Sequence, residues 1–247
     1  MHNAIGLIPA RYQSKRLPGK PLKLLGGVPL VVRVAQAAKA SKLLSDIYIA
    51  TDNDDIASIA SKYDINVVMT RAEHKTGTDR IAEAIKKLPK SDIIVNIQGD
   101  EPFISGNALD KIVGALDEPD VLMSTLCTPF KDDSQIDSPD NVKVILDNSD
   151  FAIYFSRSRI PFLRSNQIAE NLVYHHIGVY GYTYEFLKKL TKLDRTPLEI
   201  TESLEQLRAL ENGYKIKTIV VEGEFIGIDS EDDLNWAEEL INRRDLE

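Results

Sequence analysis

Four short runs rich in isoleucine and valine recur through the first part of the chain: AIGLIPA (4–10), DIYIAT (46–51), INVVMT (65–70) and DIIVNIQ (92–98). Their near-continuous apolar character is that of strands buried on both faces. Between them, stretches 29–43, 54–63 and 79–88 carry helical periodicity. Pro29 suits a first helical position, and Asp54 and Asp55 suit a helix N-terminus. Repetition of strand, helix and strand restricts the chain to an α/β fold, with a mostly parallel, Rossmann-like sheet and helices on both faces. Ligands bind such sheets beyond the carboxyl ends of the strands, which puts the loops after Pro9, Ala50, Met69 and Gln98 on one rim.

The first of those loops is basic. LIPARYQSKRLPGKPL (7–22) holds Arg11, Lys15, Arg16 and Lys20 among Pro9, Pro18, Gly19 and Pro21. No Asp or Glu occurs before Asp46, although the net charge of the chain is −8. Local positive charge on an acidic protein predicts an anion site and argues against a nucleic-acid surface. The loop matches neither GxxxxGK[ST] nor GxGxxG, which argues against a P-loop kinase and an ordinary dinucleotide-binding dehydrogenase.

Beyond Ser124 the pattern loosens. VKVILD (142–147), FAIYFSR (151–157), VYHHIGVYGYT (173–183) and KIKTIVV (215–221) read as strands. SLEQLRALENG (203–213) reads as a helix stopped by Gly213, and SEDDLNWAEELI (230–241) as a helix capped by Ser230. No linker or repeat divides the chain, so a single domain is expected over 1–247. Its halves are a ligand-binding part at about 1–125 and a smaller lobe at about 126–228. Cys127 is the single cysteine, so no disulfide forms within the chain. Neither a signal peptide nor a membrane span is legible, which predicts a cytoplasmic protein.

Two acidic positions carry chemistry. Asp100, in NIQGDEPFI (96–104), follows an apolar strand and a glycine; Asp229, in FIGIDSEDDL (225–234), repeats the arrangement. A strand's carboxyl end would aim both at the same rim. Hard cations such as Mg²⁺ accept one or two carboxylates together with phosphate oxygens. The four loop cations suit the spread charge of a triphosphate, with Lys20 stiffened between Gly19 and Pro21 and placed to stabilise charge at the reacting phosphorus.

IPARYQSKRLPGKPL, ATDNDDI, GTDRIAEA, VNIQGDEPFI, YFSRSRIP, HHIGVYGY and LEQLRALENG resemble, in order and spacing, the 3-deoxy-manno-octulosonate cytidylyltransferase family. The resemblance runs from about residue 5 to about residue 233. It implies transfer of CMP from CTP to the anomeric hydroxyl of an eight-carbon acidic sugar (Kdo), with Mg²⁺ as cofactor, for lipopolysaccharide biosynthesis. It also implies a homodimer and no nucleic-acid or membrane partner. Pro9, Ala10 and Arg11 would lie along the nucleotide, Arg11 and Arg16 on the β- and γ-phosphates, and Lys20 on the α-phosphate. Arg71, Thr78 and Gln98 would lie near cytidine or sugar, and Asp100 and Asp229 would hold the metal.

On the sugar side, a strand period of two puts His176, Gly178, Tyr180 and Tyr182 on one face, with His175 on the other. Arg157 is a natural partner for a sugar carboxylate. On the predicted helix 203–213, Leu204 and Leu207 pack inward while Glu205 and Gln206 reach sugar hydroxyls. Phe162 and Leu163 replace the aromatic and polar residues usual in the family, which leaves 8-amino-Kdo or a sialic acid as alternative sugars. Removing either aspartate is expected to leave stability unchanged or raised, by relieving repulsion between two carboxylates.

Overall fold

The computed structural model describes residues 2–14, 16–162, 164 and 172–244, so Lys15 and Leu163 lie outside the described residues. The chain divides into two compact units, one formed by Met1–Asp110 with Glu224–Glu247 and the other by Lys111–Gly223.

The first unit opens with β1 (Ala4–Ala10), whose burial is nearly complete. A 3₁₀ turn at Lys20–Leu22 then leads into a small hairpin, β2 (Leu24–Leu25) and β3 (Val28–Pro29). Pro29 pairs with Leu24 and caps α1 (Leu30–Ala38), one position before the helical start expected for it. β4 (Leu44–Thr51), α2 (Asp54–Lys62), β5 (Asn66–Met69), α3 (Gly77–Ala84) and β6 (Ile93–Asn96) follow. The strands run in the order β6-β1-β4-β5, and every neighbour is parallel. The apolar runs therefore stand side by side with their carboxyl ends at one rim. α2 begins where its acids predict, with the Asn53 side chain accepting from the Ile56 amide. α3 starts two residues earlier than its periodicity suggests, because Thr76 caps it by accepting from the Asp79 amide. The division between units falls within α4 (Gly106–Ala115).

The second unit contains β7 (Met123–Pro129), α5 (Ser134–Asp137), β8 (Lys143–Leu146), β9 (Ala152–Ser156), β10 (Tyr174–Thr183), α6 (Tyr184–Leu190), α7 (Pro197–Glu202), α8 (Leu207–Glu211) and β11 (Lys217–Val220). β11 runs parallel to β7, while β7–β10, β10–β8 and β8–β9 are antiparallel. The helix expected over 203–213 is shorter. Ser203 takes φ +54° and closes α7, and only Leu207–Glu211 is helical before Gly213 turns the chain at φ +79°.

The chain returns to the first unit with α9 (Glu231–Arg244), capped as expected by Ser230, whose hydroxyl accepts from the Asp233 amide. Leu17, from the basic loop, is buried with Leu25, Leu30, Ile228, Leu234 and Ala237, and Phe103 and Ile241 pack against this cluster. Burying one leucine contributes about 2 kcal/mol, enough to root a loop that carries several charges.

Candidate active site

In the first unit the anchored loop delivers Lys20. Leu17 is held inside, the Lys20 amide donates to the Leu17 carbonyl at 3.1 Å, and Pro21 is buried. Only the ammonium end then reaches out. It donates to Asp100 Oδ2 at 2.6 Å and to Asp229 Oδ1 at 2.9 Å, while Arg16 Nη2 meets Asp229 Oδ2 at 2.6 Å. Four residues singled out in the sequence thus converge on one cluster. Burial of Lys20 opposes its charge, but Asp100 and Asp229 outweigh it and hold the ammonium above its usual pKa.

Asp100 arrives after β6 and Gly99, as its spacing implies. Asp229 arrives differently, for the residues before it form no strand among those described. The Ile228 amide instead donates to the Asp100 carbonyl at 2.9 Å, which pins the two aspartates together. The turn into α9 is satisfied by Asp233, whose Oδ2 accepts from the amides of Asp229 and Ser230. The Asp229 carboxylate is thereby released for the cations. The expected repulsion between the aspartates is corrected by the same geometry, since Lys20 and Arg16 neutralise both.

Two carboxylates reaching one point form a donor set that fits Mg²⁺, which keeps most of its shell as water and phosphate oxygen. Among the described residues no group of three or more His, Cys, Asp or Glu could hold a metal, so such a site would rest on this pair. Beside it, burial pushes the Glu101 carboxyl up to about 8, aided by Asp100 and Asp229 and opposed by Lys20. Glu101 Oε2 is buried with no hydrogen-bond partner among the described residues. The sequence showed Glu101 only as half of an Asp-Glu pair typical of turns.

The other nucleotide-side residues gather around Pro9. A Cβ on Gly77 would sit 3.0 Å from Pro9 Cγ, and one on Gly99 would sit 3.3 Å from the Pro9 carbonyl oxygen. The loops after β1, β5 and β6 therefore close on one another because two of them present no side chain there. Ala10 is buried, Arg11 is exposed and Gln98 is half-buried. Thr78 is buried in the first turn of α3. Arg71 is exposed and donates through Nε to Glu83 Oε2 at 3.0 Å. Burial opposes ionisation of Glu83, but hydrogen bonds from Lys87, His74 and Arg71 hold its carboxyl far below the usual range.

In the second unit, the Arg157 amide donates to Glu202 Oε2, its Nε to the Glu202 carbonyl and its Nη1 to the Pro139 carbonyl, each at 2.9 Å. His176, Tyr180 and Tyr182 share a face as their period implies, with successive ring centroids 5.5 and 6.1 Å apart. The face is more enclosed than expected. His176 is buried, its Nε2 lies 3.1 Å from Thr125 Oγ1, and Phe155 packs edge-on against it. Burial, with His175 adding, drives its pKa down to about 3, so it is neutral at physiological pH. Gln206, expected on a helix face, is buried in the turn before α8, and its Nε2 has no hydrogen-bond partner among the described residues. Glu205 beside it is half-buried.

Charged residues that the sequence reading passed over organise this unit. Glu199 is buried and takes Arg208 bidentately at 2.7 and 2.6 Å. Glu202 accepts from Ser156 and Arg157, and Lys143 is wholly buried. Each lies in a motif of ordinary helix or strand composition, which gives no sign that its charge is turned inward.

The cytidylyltransferase family model matches residues 5–218. A 3-deoxy-manno-octulosonate cytidylyltransferase of Phocaeicola vulgatus is 44% identical, covering 98% of this chain and 99% of that relative. An 8-amino-3,8-dideoxy-manno-octulosonate cytidylyltransferase of Shewanella pealeana is 42% identical, covering 96% of this chain and 97% of that relative. A solved structure of CMP:2-keto-3-deoxy-manno-octonic acid synthetase complexed with CTP is similar, with TM-score 0.92 and 34% identity, covering 98% of this chain and 99% of that one.

Proposed function

The chain belongs to the cytidylyltransferase family, and on that premise we propose that it transfers CMP from CTP to the anomeric hydroxyl of 3-deoxy-D-manno-octulosonate. The chain is a nucleotidyltransferase. In the reaction the sugar hydroxyl attacks the α-phosphorus, a sugar–phosphate bond forms, the α–β phosphoanhydride bond breaks, and pyrophosphate leaves. The observation that carries the reading is the meeting of Lys20 with Asp100 and Asp229, at 2.6 and 2.9 Å.

Asp100 and Asp229 would hold Mg²⁺, which when bound offsets phosphate charge and lowers the pKa of the attacking hydroxyl. Lys20, freed from its carboxylates, meets the α-phosphate, where charge develops in the transition state. Arg11 and Arg16 take the β- and γ-phosphates. Pro9, Ala10, Arg71, Thr78 and Gln98 line the nucleotide. Arg157 receives the sugar carboxylate. Tyr180, Glu205, Gln206 and Gln98 meet sugar hydroxyls, with His176 packed against Tyr180. The unpartnered Gln206 amide supports this assignment.

A homodimer is supported by β9, which among the described strands pairs with β8 alone and exposes Ile153. A cytoplasmic role in lipopolysaccharide biosynthesis agrees with a CTP-dependent activation. Among the described residues no helix is long and apolar enough to cross a membrane. The second reading is the 8-amino sugar, favoured by the similarity to the Shewanella relative.

Pyrophosphate release with CTP tests both. Kdo should be turned over well and ATP should not replace CTP. Preference for the amino sugar would select the second reading, and absence of release with any acidic sugar would remove both.

A further inference from the structure

Lys143 is wholly buried, and among the described residues no carboxylate forms an ion pair with it. Burying an ammonium is costly unless all of its donors are used. Lys143 uses three. Its Nζ donates to the Ser138 carbonyl at 2.8 Å, to the Asn141 carbonyl at 2.7 Å and to the Arg157 carbonyl. These acceptors come from two segments, the connection between α5 and β8 and the residue just after β9.

Arg157 is fastened by Lys143, by the connection between α5 and β8, and by Glu202 at the end of α7. Its carbonyl meets Lys143, its amide meets Glu202 Oε2, and its Nη1 donates to Pro139, which lies between Ser138 and Asn141 in sequence. One ammonium therefore fixes both the backbone that carries the guanidinium and the loop carbonyl against which the guanidinium rests. Nη2 of Arg157 is left without a partner among the described residues. We infer that Lys143 is a positioning residue for the acidic sugar, acting through Arg157 by holding its guanidinium ready for the sugar carboxylate.

The inference rests on the reading of Arg157 as the carboxylate partner, and a double-mutant cycle separates the two. Lys143→Met keeps the length and apolar character of the stem and removes the ammonium. Pyrophosphate release is measured for the full chain, varying Kdo and CTP in turn. Lys143→Met should raise the KM for sugar by roughly tenfold or more, the scale of a lost charge-assisted contact, and leave the KM for CTP near normal. In an Arg157→Ala background the same change should add almost nothing, because a residue that acts through another loses its effect when the other is gone. A merely structural lysine would lower the thermal midpoint and act additively in both backgrounds.

If Lys143→Met does not fold, Glu202→Gln, which weakens the grip on the Arg157 amide, enters the same cycle with the same expected non-additivity. An unchanged sugar KM in Arg157→Ala overturns both readings. A raised sugar KM in Arg157→Ala with additive or absent effects from Lys143 overturns the inference alone.

Discussion

At the candidate site the first unit balances Lys20 and Arg16 against carboxylates, whereas the second fastens Arg157 and Lys143 to the backbone. Lys20 and Arg16 face Asp100 and Asp229 side chain to side chain, part-buried and within reach of solvent. Arg157 and Lys143 face carbonyl oxygens of Glu202, Pro139, Ser138 and Asn141. An ion pair can exchange one partner for a metal or a phosphate without leaving a bare charge. A cation bound to carbonyls keeps its place whatever binds next. The contrast suits the two proposed roles, since a nucleotide changes charge during reaction, while a sugar carboxylate has only to be recognised.

The comparison breaks hardest at the aspartates. Asp100→Asn and Asp229→Asn should each lower kcat/KM by about 10³-fold, the scale of several kcal/mol of metal-derived stabilisation. The double variant should be scarcely worse, because the pair acts as a unit. Pyrophosphate release across a Mg²⁺ titration reads this out, and near-normal activity of Asp229→Asn at saturating metal would remove that residue from the site. Lys20→Ala comes next, with kcat lower by roughly 10²-fold if it acts as an oxyanion donor. The same variant should bind Mg²⁺ more tightly than the parent in the absence of CTP, as calorimetry can show, because no ammonium competes. Weaker metal binding would contradict exchangeable pairing.

On the other side, Arg157→Ala should raise the KM for sugar by roughly tenfold or more with little change for CTP, matching the loss of a charge-assisted hydrogen bond. If Lys20→Ala and Arg157→Ala give the same kinetic profile, the contrast between the units is false. The smallest effect concerns pH. Burial, with Lys143 adding, brings His175 down to about 4, and burial with His175 brings His176 down to about 3. Both imidazoles are protonated near 6.5 once unfolded, so the unfolded chain binds more protons between those values. Stability of the second unit should be full above pH 6.5 and fall as pH drops toward 4. Thermal melts should show a shallower fall for His176→Gln.

Much of this architecture is readable in the residues. The runs at 4–10, 65–70 and 92–98 each contain the strand they predict, and β4 begins two residues before the run at 46–51, because a strand buried on both faces has little freedom to be anything else. Lys20 and Asp100 are legible for the related reason that proline, glycine and strand ends fix where a charge can point. Asp229 reaches its place by a hydrogen bond from the Ile228 amide to the Asp100 carbonyl, a contact between positions far apart in sequence that no local pattern encodes. The stretch 203–213 fails as one helix because Ser203 turns left-handed, and the buried Glu199–Arg208 pair holds α7 to α8 across that break. Lys143 sits in a strand motif where alternation cannot distinguish a lysine turned inward from one turned outward.

The bridge from Lys20 to both aspartates makes the resting cluster a closed salt. Arg16 and Lys20 contribute two positive charges, Asp100 and Asp229 two negative ones. If the aspartates hold Mg²⁺ as proposed, the free ion would meet no net field there and would have to evict a resident counter-ion. A metal–nucleotide complex would bring divalent cation and polyanion together, so that evicted cation and incoming phosphate could pair at once. Loading would then be a double exchange, in which neither half proceeds well alone. On this account free magnesium at physiological concentration should barely occupy the aspartates, and the nucleotide rather than the metal pool should decide when the enzyme is charged for work.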